Sequence, residues 1–218
     1  IILLSLVSIG LCISLLGCKT DSGIQQTTSP STRTITDMYG RELSVPSVIN
    51  RVIATGPIEM ELVYLLAPDK LIGLCFTFNG DPPLVQDKYL NIPVTGGWFG
   101  KQTGNYETLI EMDPDIILEG SLENIGDRQD KFGPIPVVGV AAGEESTNYN
   151  DDALTEYENE IRFLGELLDV EEQAESLIEY YNNAMDYVTS IVSTIPDEQK
   201  IRVYYAEGSE GFNTDPSG

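Results

Sequence analysis

The sequence predicts an α/β protein of two Rossmann-like lobes joined by one long helix, with the second lobe only begun. Short apolar strands alternate with helices at a spacing typical of parallel βαβ units. Two consecutive helices follow, and the second would span roughly 40 Å, which suits a connection between lobes. A new strand then starts at residue 200.

The elements follow one another in a simple order. Apolar and polar residues alternate in the hairpin and the strands, and apolar residues recur at helical spacing in the helices. Pro57 suits the first turn of the first helix, and Asn105 can cap the second. The predicted elements are a hairpin over 34–45, a strand over 51–55, a helix over 58–66, a strand over 71–76, a helix over 106–112, strands over 115–119 and 136–140, helices over 152–168 and 170–195, and a strand from 200.

The N-terminal residues predict a lipoprotein. Residues 1–17 are apolar or small and uncharged, and polar sequence starts directly after Cys18. This pattern predicts a secretory signal ending in a lipobox, whose cysteine receives a diacylglyceryl group and tethers the chain to the outer face of the cell membrane. A transmembrane anchor is the alternative, although it needs about 20 apolar residues. The predicted parts are a partial signal peptide (1–17), a lipidated tether (18–33), an N-terminal α/β lobe (34–168), a connecting helix (169–196) and the start of a truncated C-terminal lobe (200–218).

Composition restricts the function. Thirty-five acidic residues against 12 basic ones give a net charge of -23, which argues against nucleic acid or anionic lipid as a partner. The sequence contains no histidine, so Ser-His-Asp and Cys-His nucleophile systems are excluded for these residues. Cys75 stands alone in the apolar run LIGLCF, which predicts a small buried side chain and no disulfide. We expect no metal site, no cofactor and no catalytic residues.

The loops after the predicted strands are the place to look for a ligand, because open α/β sheets bind ligands beyond the carboxyl ends of their strands. These loops are rich in glycine and aromatic residues and poor in charge, with Lys101 their only base, which predicts a broad, mostly apolar ligand. Trp98, the only tryptophan, is the first candidate; alternatively it fills the core. The candidate ligand-binding residues are Pro57, Ile58, Phe78, Gly97, Trp98, Phe99, Ser121 and Glu207.

Four segments occur in an order that is similar to a known family: TITDMYGRELSVP, RVIATGPIEMELVYLL followed by KLIGL, GNYETLIEMDPDIIL and RVYYAEGSEGFNTDPSG. Over residues 34–218 the chain resembles the substrate-binding proteins of ABC importers, in the class whose lobes are joined by one rigid helix. The resemblance implies that Glu107, in Asn105-Tyr106-Glu107, forms a salt bridge to an arginine of the permease. A glutamate in the first turn of a helix is also favoured by the helix dipole alone.

Together these features predict an extracytoplasmic lipoprotein that captures a metal chelate and delivers it to an ABC permease through acidic docking residues. The resemblance implies a ferric siderophore first, then cobalamin or haem, then an oxyanion such as molybdate. We expect a monomer that catalyses no reaction and binds no nucleic acid. The alternatives are a surface lipoprotein enzyme, such as a metal-dependent hydrolase, and a structural or adhesive lipoprotein. The enzyme would need a metal-ligand cluster or an activated nucleophile, and the sequence offers neither.

Overall fold

A hairpin and a parallel sheet with flanking helices make up the fold. The computed structural model describes residues 31–77, 85–98, 104–140 and 153–203. Short 3-10 helices lie at Pro68–Lys70, Asp87–Tyr89 and Asp197–Gln199. The strands and α-helices, in chain order, are β1 (Thr32–Thr36), β2 (Glu42–Pro46), β3 (Val52–Ala54), α1 (Pro57–Leu66), α2 (Tyr106–Glu111), β4 (Ile116–Glu119), α3 (Ile125–Phe132), β5 (Val137–Gly139), α4 (Ala153–Leu168) and α5 (Glu171–Val192).

The central sheet is parallel, with strand order β3-β4-β5. Ile53 of β3 pairs with Ile117 of β4, which pairs in turn with Val137 of β5. The first two strands form the predicted hairpin as a separate antiparallel pair. The α/β class and the parallel sheet are thereby confirmed.

The strand predicted over 71–76 is wrong as a continuous element. Leu71 forms an isolated parallel bridge with Val52, and Leu74 forms another with Val94. The segment changes partner between these two bridges, so no run of consecutive pairs develops with either neighbour. It still lies along the edge of β3, because the Ile72 backbone N–H donates to the Val52 carbonyl at 3.1 Å.

The two faces of the sheet bury two separate apolar clusters, because successive strand residues point to opposite sides. Val52 and Ala54 pack into the larger cluster with α1, α4 and α5. Ile53, between them, packs on the other face into a smaller cluster that includes Leu109 of α2 and Phe132 of α3. The sheet therefore lies between two packed apolar clusters.

The hairpin is joined to the edge of the sheet by the buried carboxylate of Asp37. Its Oδ2 accepts hydrogen bonds from the Arg41 guanidinium, at 2.7 and 3.0 Å, and from the Gly139 backbone N–H at 3.0 Å. Its Oδ1 accepts from the backbone N–H groups of Tyr39 and Arg41. Because Gly139 belongs to β5, this carboxylate connects the hairpin loop to the end of an edge strand.

The two long helices are joined by a single tight turn. The prediction of helices over 152–168 and 170–195 is close to the observed bounds of α4 and α5. Asp169 between them adopts a left-handed backbone with φ 55°. That α5 joins two lobes stays a prediction. Within the described ranges, no helix is long and apolar enough to cross a membrane.

Asn105 caps α2 as the sequence predicts. Its side-chain oxygen accepts hydrogen bonds from the backbone N–H groups of Glu107 at 2.9 Å and Thr108 at 3.3 Å. We expect Asn105→Ala to lower the free energy of unfolding by about 1 kcal/mol, because two N–H groups lose their acceptor. Urea unfolding followed by circular dichroism measures this. Asn105→Ser should retain most of the stability, and an equal loss in both variants would contradict the capping role.

Candidate functional site

The loop that carries Gly97 and Trp98 lies directly against the carboxyl end of β3. The Trp98 backbone N–H donates to the Thr55 carbonyl at 2.9 Å, and a side chain at Gly97 would overlap that same carbonyl oxygen. Gly97 is therefore needed for the close approach of the two backbones. The contact brings two predicted ligand-binding residues to the edge where the parallel strands end.

Three further predicted residues lie at the same edge. Pro57 and Ile58 open α1, immediately after β3, and Ile58 is 58% exposed. Ser121 follows β4 and is half-buried. We refer to the segments that follow the strands here, 55–59, 96–98 and 119–121, as the binding edge. Five residues named in the sequence predictions lie outside the described residues: Cys18, Phe78, Phe99, Lys101 and Glu207.

The indole of Trp98 is half-buried and held on several sides. The Arg128 guanidinium carbon lies 3.9 Å from its ring centroid, a cation–π contact. The rings of Tyr106 and Phe132 pack against it, with centroids 4.7 and 6.2 Å away. Trp98 thus borders both the smaller cluster and the binding edge, and its contact with a ligand stays a prediction.

Arg128, which contacts the indole of Trp98, forms a buried ion pair with Glu119. Arg128 donates through Nε to Glu119 Oε2 at 3.0 Å and through Nη1 to the Tyr106 hydroxyl at 2.5 Å. The Thr55 hydroxyl lies 3.0 Å from the same Glu119 oxygen, and the Ser121 backbone N–H donates to the other oxygen at 2.9 Å. Glu119 and Arg128 are 5% and 7% exposed, so their charges neutralise one another out of water.

A second carboxyl group, that of Glu59, lies between the ends of β3 and β4. A methyl group at Gly56 or at Gly120 would overlap one of its oxygens, so the carboxyl group is wedged between two glycine backbones. Burial raises the pKa of Glu59 from 4.5 to about 7, opposed by a hydrogen bond from its own backbone N–H and reinforced by the charges of Glu160 and Glu119. Glu59 therefore titrates near neutral pH.

Cys75 and Tyr39 complete the surroundings of the binding edge. Cys75 is a buried free thiol, as predicted, and its Sγ donates to the Ala54 carbonyl at 3.4 Å. Burial, and then the charge of Glu59, raises its pKa to about 12, so the thiol stays protonated and unreactive. The Tyr39 hydroxyl donates to the Gly120 carbonyl at 2.6 Å, which fixes the backbone after β4.

The sequence predicted few charges at this end of the sheet, and that prediction is wrong. Glu59, Glu119 and Arg128 lie at or directly beneath the binding edge. The two glutamates were visible in the sequence, each in an apolar context, but Arg128 is 9 residues beyond Glu119 in a helix that was not predicted. Within the described part of the chain, no group of three or more His, Cys, Asp or Glu side chains is placed to hold a metal ion.

Glu107, the predicted docking residue, is exposed in the first turn of α2. Its backbone N–H donates to the Asn105 cap, and its side chain is exposed to solvent. This position is compatible with both hypotheses, a docking contact and a favourable interaction with the helix dipole.

Comparison with known proteins gives a family and several similar folds. The family model for periplasmic binding proteins matches residues 52–216. An ABC transporter solute binding protein from Sulfurospirillum deleyianum is 24% identical, with a TM-score of 0.65 over 81% of this chain and 54% of its own. The molybdate-binding protein MolA of Haemophilus influenzae is 19% identical, with a TM-score of 0.65 over 80% and 58%.

A siderophore-binding protein, BauB, has a similar fold at lower identity. It is 14% identical, with a TM-score of 0.58 over 76% of this chain and 56% of its own. The chain thus spans about half the length of these solved structures. No curated protein sequence matches it significantly.

Proposed function

Because the chain belongs to the periplasmic binding protein family, we propose that it forms a lobe of an extracytoplasmic substrate-binding protein that serves an ABC importer. The observation that carries this proposal is the match of the family model over residues 52–216, which include the whole binding edge. Such a protein binds and releases its ligand and catalyses no reaction. Its cargo passes to the permease, for which Glu107 is the proposed docking residue on this lobe.

The ligand we propose is a metal chelate, first a ferric siderophore and next cobalamin or haem. The binding edge supports a broad ligand, since it presents Trp98, the exposed Ile58 and close-packed glycine backbone along three neighbouring segments. Proteins of similar fold include the siderophore binder BauB and the haem-binding protein HmuT, the latter with a TM-score of 0.53. We further propose that Phe78, Phe99 and Glu207 contribute to this site and that Cys18 carries the lipid anchor.

Trp98 offers a direct test of this proposal, because it is the only tryptophan of the sequence. We expect saturable quenching of its fluorescence when the complete natural chain, without its lipid, is titrated with a ferric siderophore at micromolar concentration. Haem, cobalamin and molybdate serve as the comparison ligands. Any tryptophan elsewhere in the complete chain is first replaced by phenylalanine.

Equilibrium dialysis of Trp98→Ala then measures the affinity for the ligand directly, without relying on tryptophan fluorescence. We expect its affinity for the chelate to fall about tenfold or more, because stacking on the indole is lost. Asn105→Ser, a change in the same region that keeps its hydrogen-bond acceptor, serves as the matched control and should bind as the natural protein does. A failure of every metal chelate to bind would overturn the proposal that the ligand is a metal chelate.

A further inference from the structure

Of the two glutamates at the binding edge, Glu119 is paired with a basic side chain, whereas Glu59 is not paired with one among the described residues. Arg128 and Glu119 form a buried pair, and Arg128 also donates to Tyr106, so the charge of this guanidinium is compensated by Glu119. Glu59, 7% exposed, makes no ion pair among the described residues. When Glu59 is ionised, the edge therefore carries one negative charge in a setting of low water content.

The other basic side chains of the described residues do not compensate this charge. Arg41 is paired with the buried Asp37. Arg51 donates to the Met112 and Asp113 carbonyls beyond the opposite end of β3. Polar partners other than Glu59 are found for Arg33, Lys70, Lys88, Arg162 and Lys200. Lys131 and Arg202 are exposed and form no ion pair with Glu59.

Resting on the function proposed above, we propose that this lobe selects its metal chelate by charge. The binding edge takes a cationic or neutral ferric chelate and disfavours an anionic one, and Glu59 is the residue that carries this preference. A ligand that covers the edge removes the remaining water, which strengthens the interaction between its charge and the carboxylate. Burial and the neighbouring Glu119 and Glu160 raise the pKa of Glu59 to about 7, so the carboxylate is mostly ionised at pH 8.

Three ferric chelates of different charge test the proposal at pH 8: a cationic trihydroxamate, a neutral trihydroxamate and an anionic tricatecholate. Their affinities for the complete natural chain are measured by equilibrium dialysis. We expect the order cationic, neutral, anionic from tightest to weakest. Glu59→Gln should reduce the ratio of cationic to anionic affinity by about tenfold or more, since the amide keeps the shape and removes the charge.

Glu61→Gln is the matched control, because Glu61 lies on the same helix but is exposed. It removes the same charge from the chain and should change the affinity ratio by less than about twofold. If Glu59→Gln fails to fold, the order of affinities in the natural protein still tests selection by charge, because tightest binding of the anionic chelate would refute it.

Two kinds of result would overturn the inference, and they have different consequences for the proposed function. Tightest binding of the anionic chelate, or an unchanged ratio in Glu59→Gln, would refute selection by charge and leave the proposed function intact. Binding of none of the three chelates would instead refute a ferric siderophore as the ligand, which is the first part of the proposal on which this inference rests.

Discussion

Asp37→Asn is expected to lower the free energy of unfolding by about 3 kcal/mol, because it removes the buried carboxylate of an ion pair whose other hydrogen bonds hold the hairpin to the sheet. The Asp37 side chain is 0% exposed and accepts five hydrogen bonds, three of them from Arg41. The asparagine amide has the same shape but carries no charge. Its NH2 group would also face donors where the carboxylate offered an oxygen.

Urea unfolding monitored by circular dichroism measures this loss. Glu42→Gln is the control, since Glu42 is an exposed acid in β2 of the same hairpin, and we expect it to change stability by less than about 0.5 kcal/mol. A loss below about 1 kcal/mol in Asp37→Asn would show that the hairpin contributes little to the stability of the sheet.

Local patterns predicted most of the strands and helices. The hairpin follows from alternation around Tyr39 and Gly40, and α2 follows from its Asn105 cap. The α3 helix was missed because its sequence, IGDRQDKF, is largely polar and its apolar positions are only the two ends, Ile125 and Phe132. The helix is ended by Gly133, at φ 61°, a left-handed conformation that glycine adopts without strain.

The segments that meet at the carboxyl ends of the strands could be predicted from the sequence, whereas the charges packed beneath them could not. The rule that ligands bind beyond the carboxyl ends of strands selected the segments that contain Gly97, Trp98 and Ser121. The pairing of Glu119 with Arg128, and the wedging of Glu59 between Gly56 and Gly120, depend on how helices and strands pack in three dimensions. Asp37 illustrates the same limit, since its partner Gly139 is 102 residues away.

The buried Glu59 makes stability depend on pH in the direction opposite to that of an ion-paired acid. Its pKa is raised from 4.5 to about 7 in the folded protein, so between these values the folded state binds more protons than the unfolded one. The stability that the neutral form provides is therefore fully present below about pH 4.5 and is lost as the pH rises through 7. Between pH 5 and pH 8 this loss amounts to about 2.5 kcal/mol.

Glu59→Gln removes the titrating proton while keeping the shape of the side chain. We expect the variant to gain about 2.5 kcal/mol relative to the natural protein when the pH is raised from 5 to 8, whatever constant difference the amide itself introduces. Urea unfolding at closely spaced pH values measures the two curves. The exposed Glu61, changed to glutamine, should give a curve parallel to that of the natural protein. A constant difference between Glu59→Gln and the natural protein across this range would mean that the pKa of Glu59 is not raised in the folded protein.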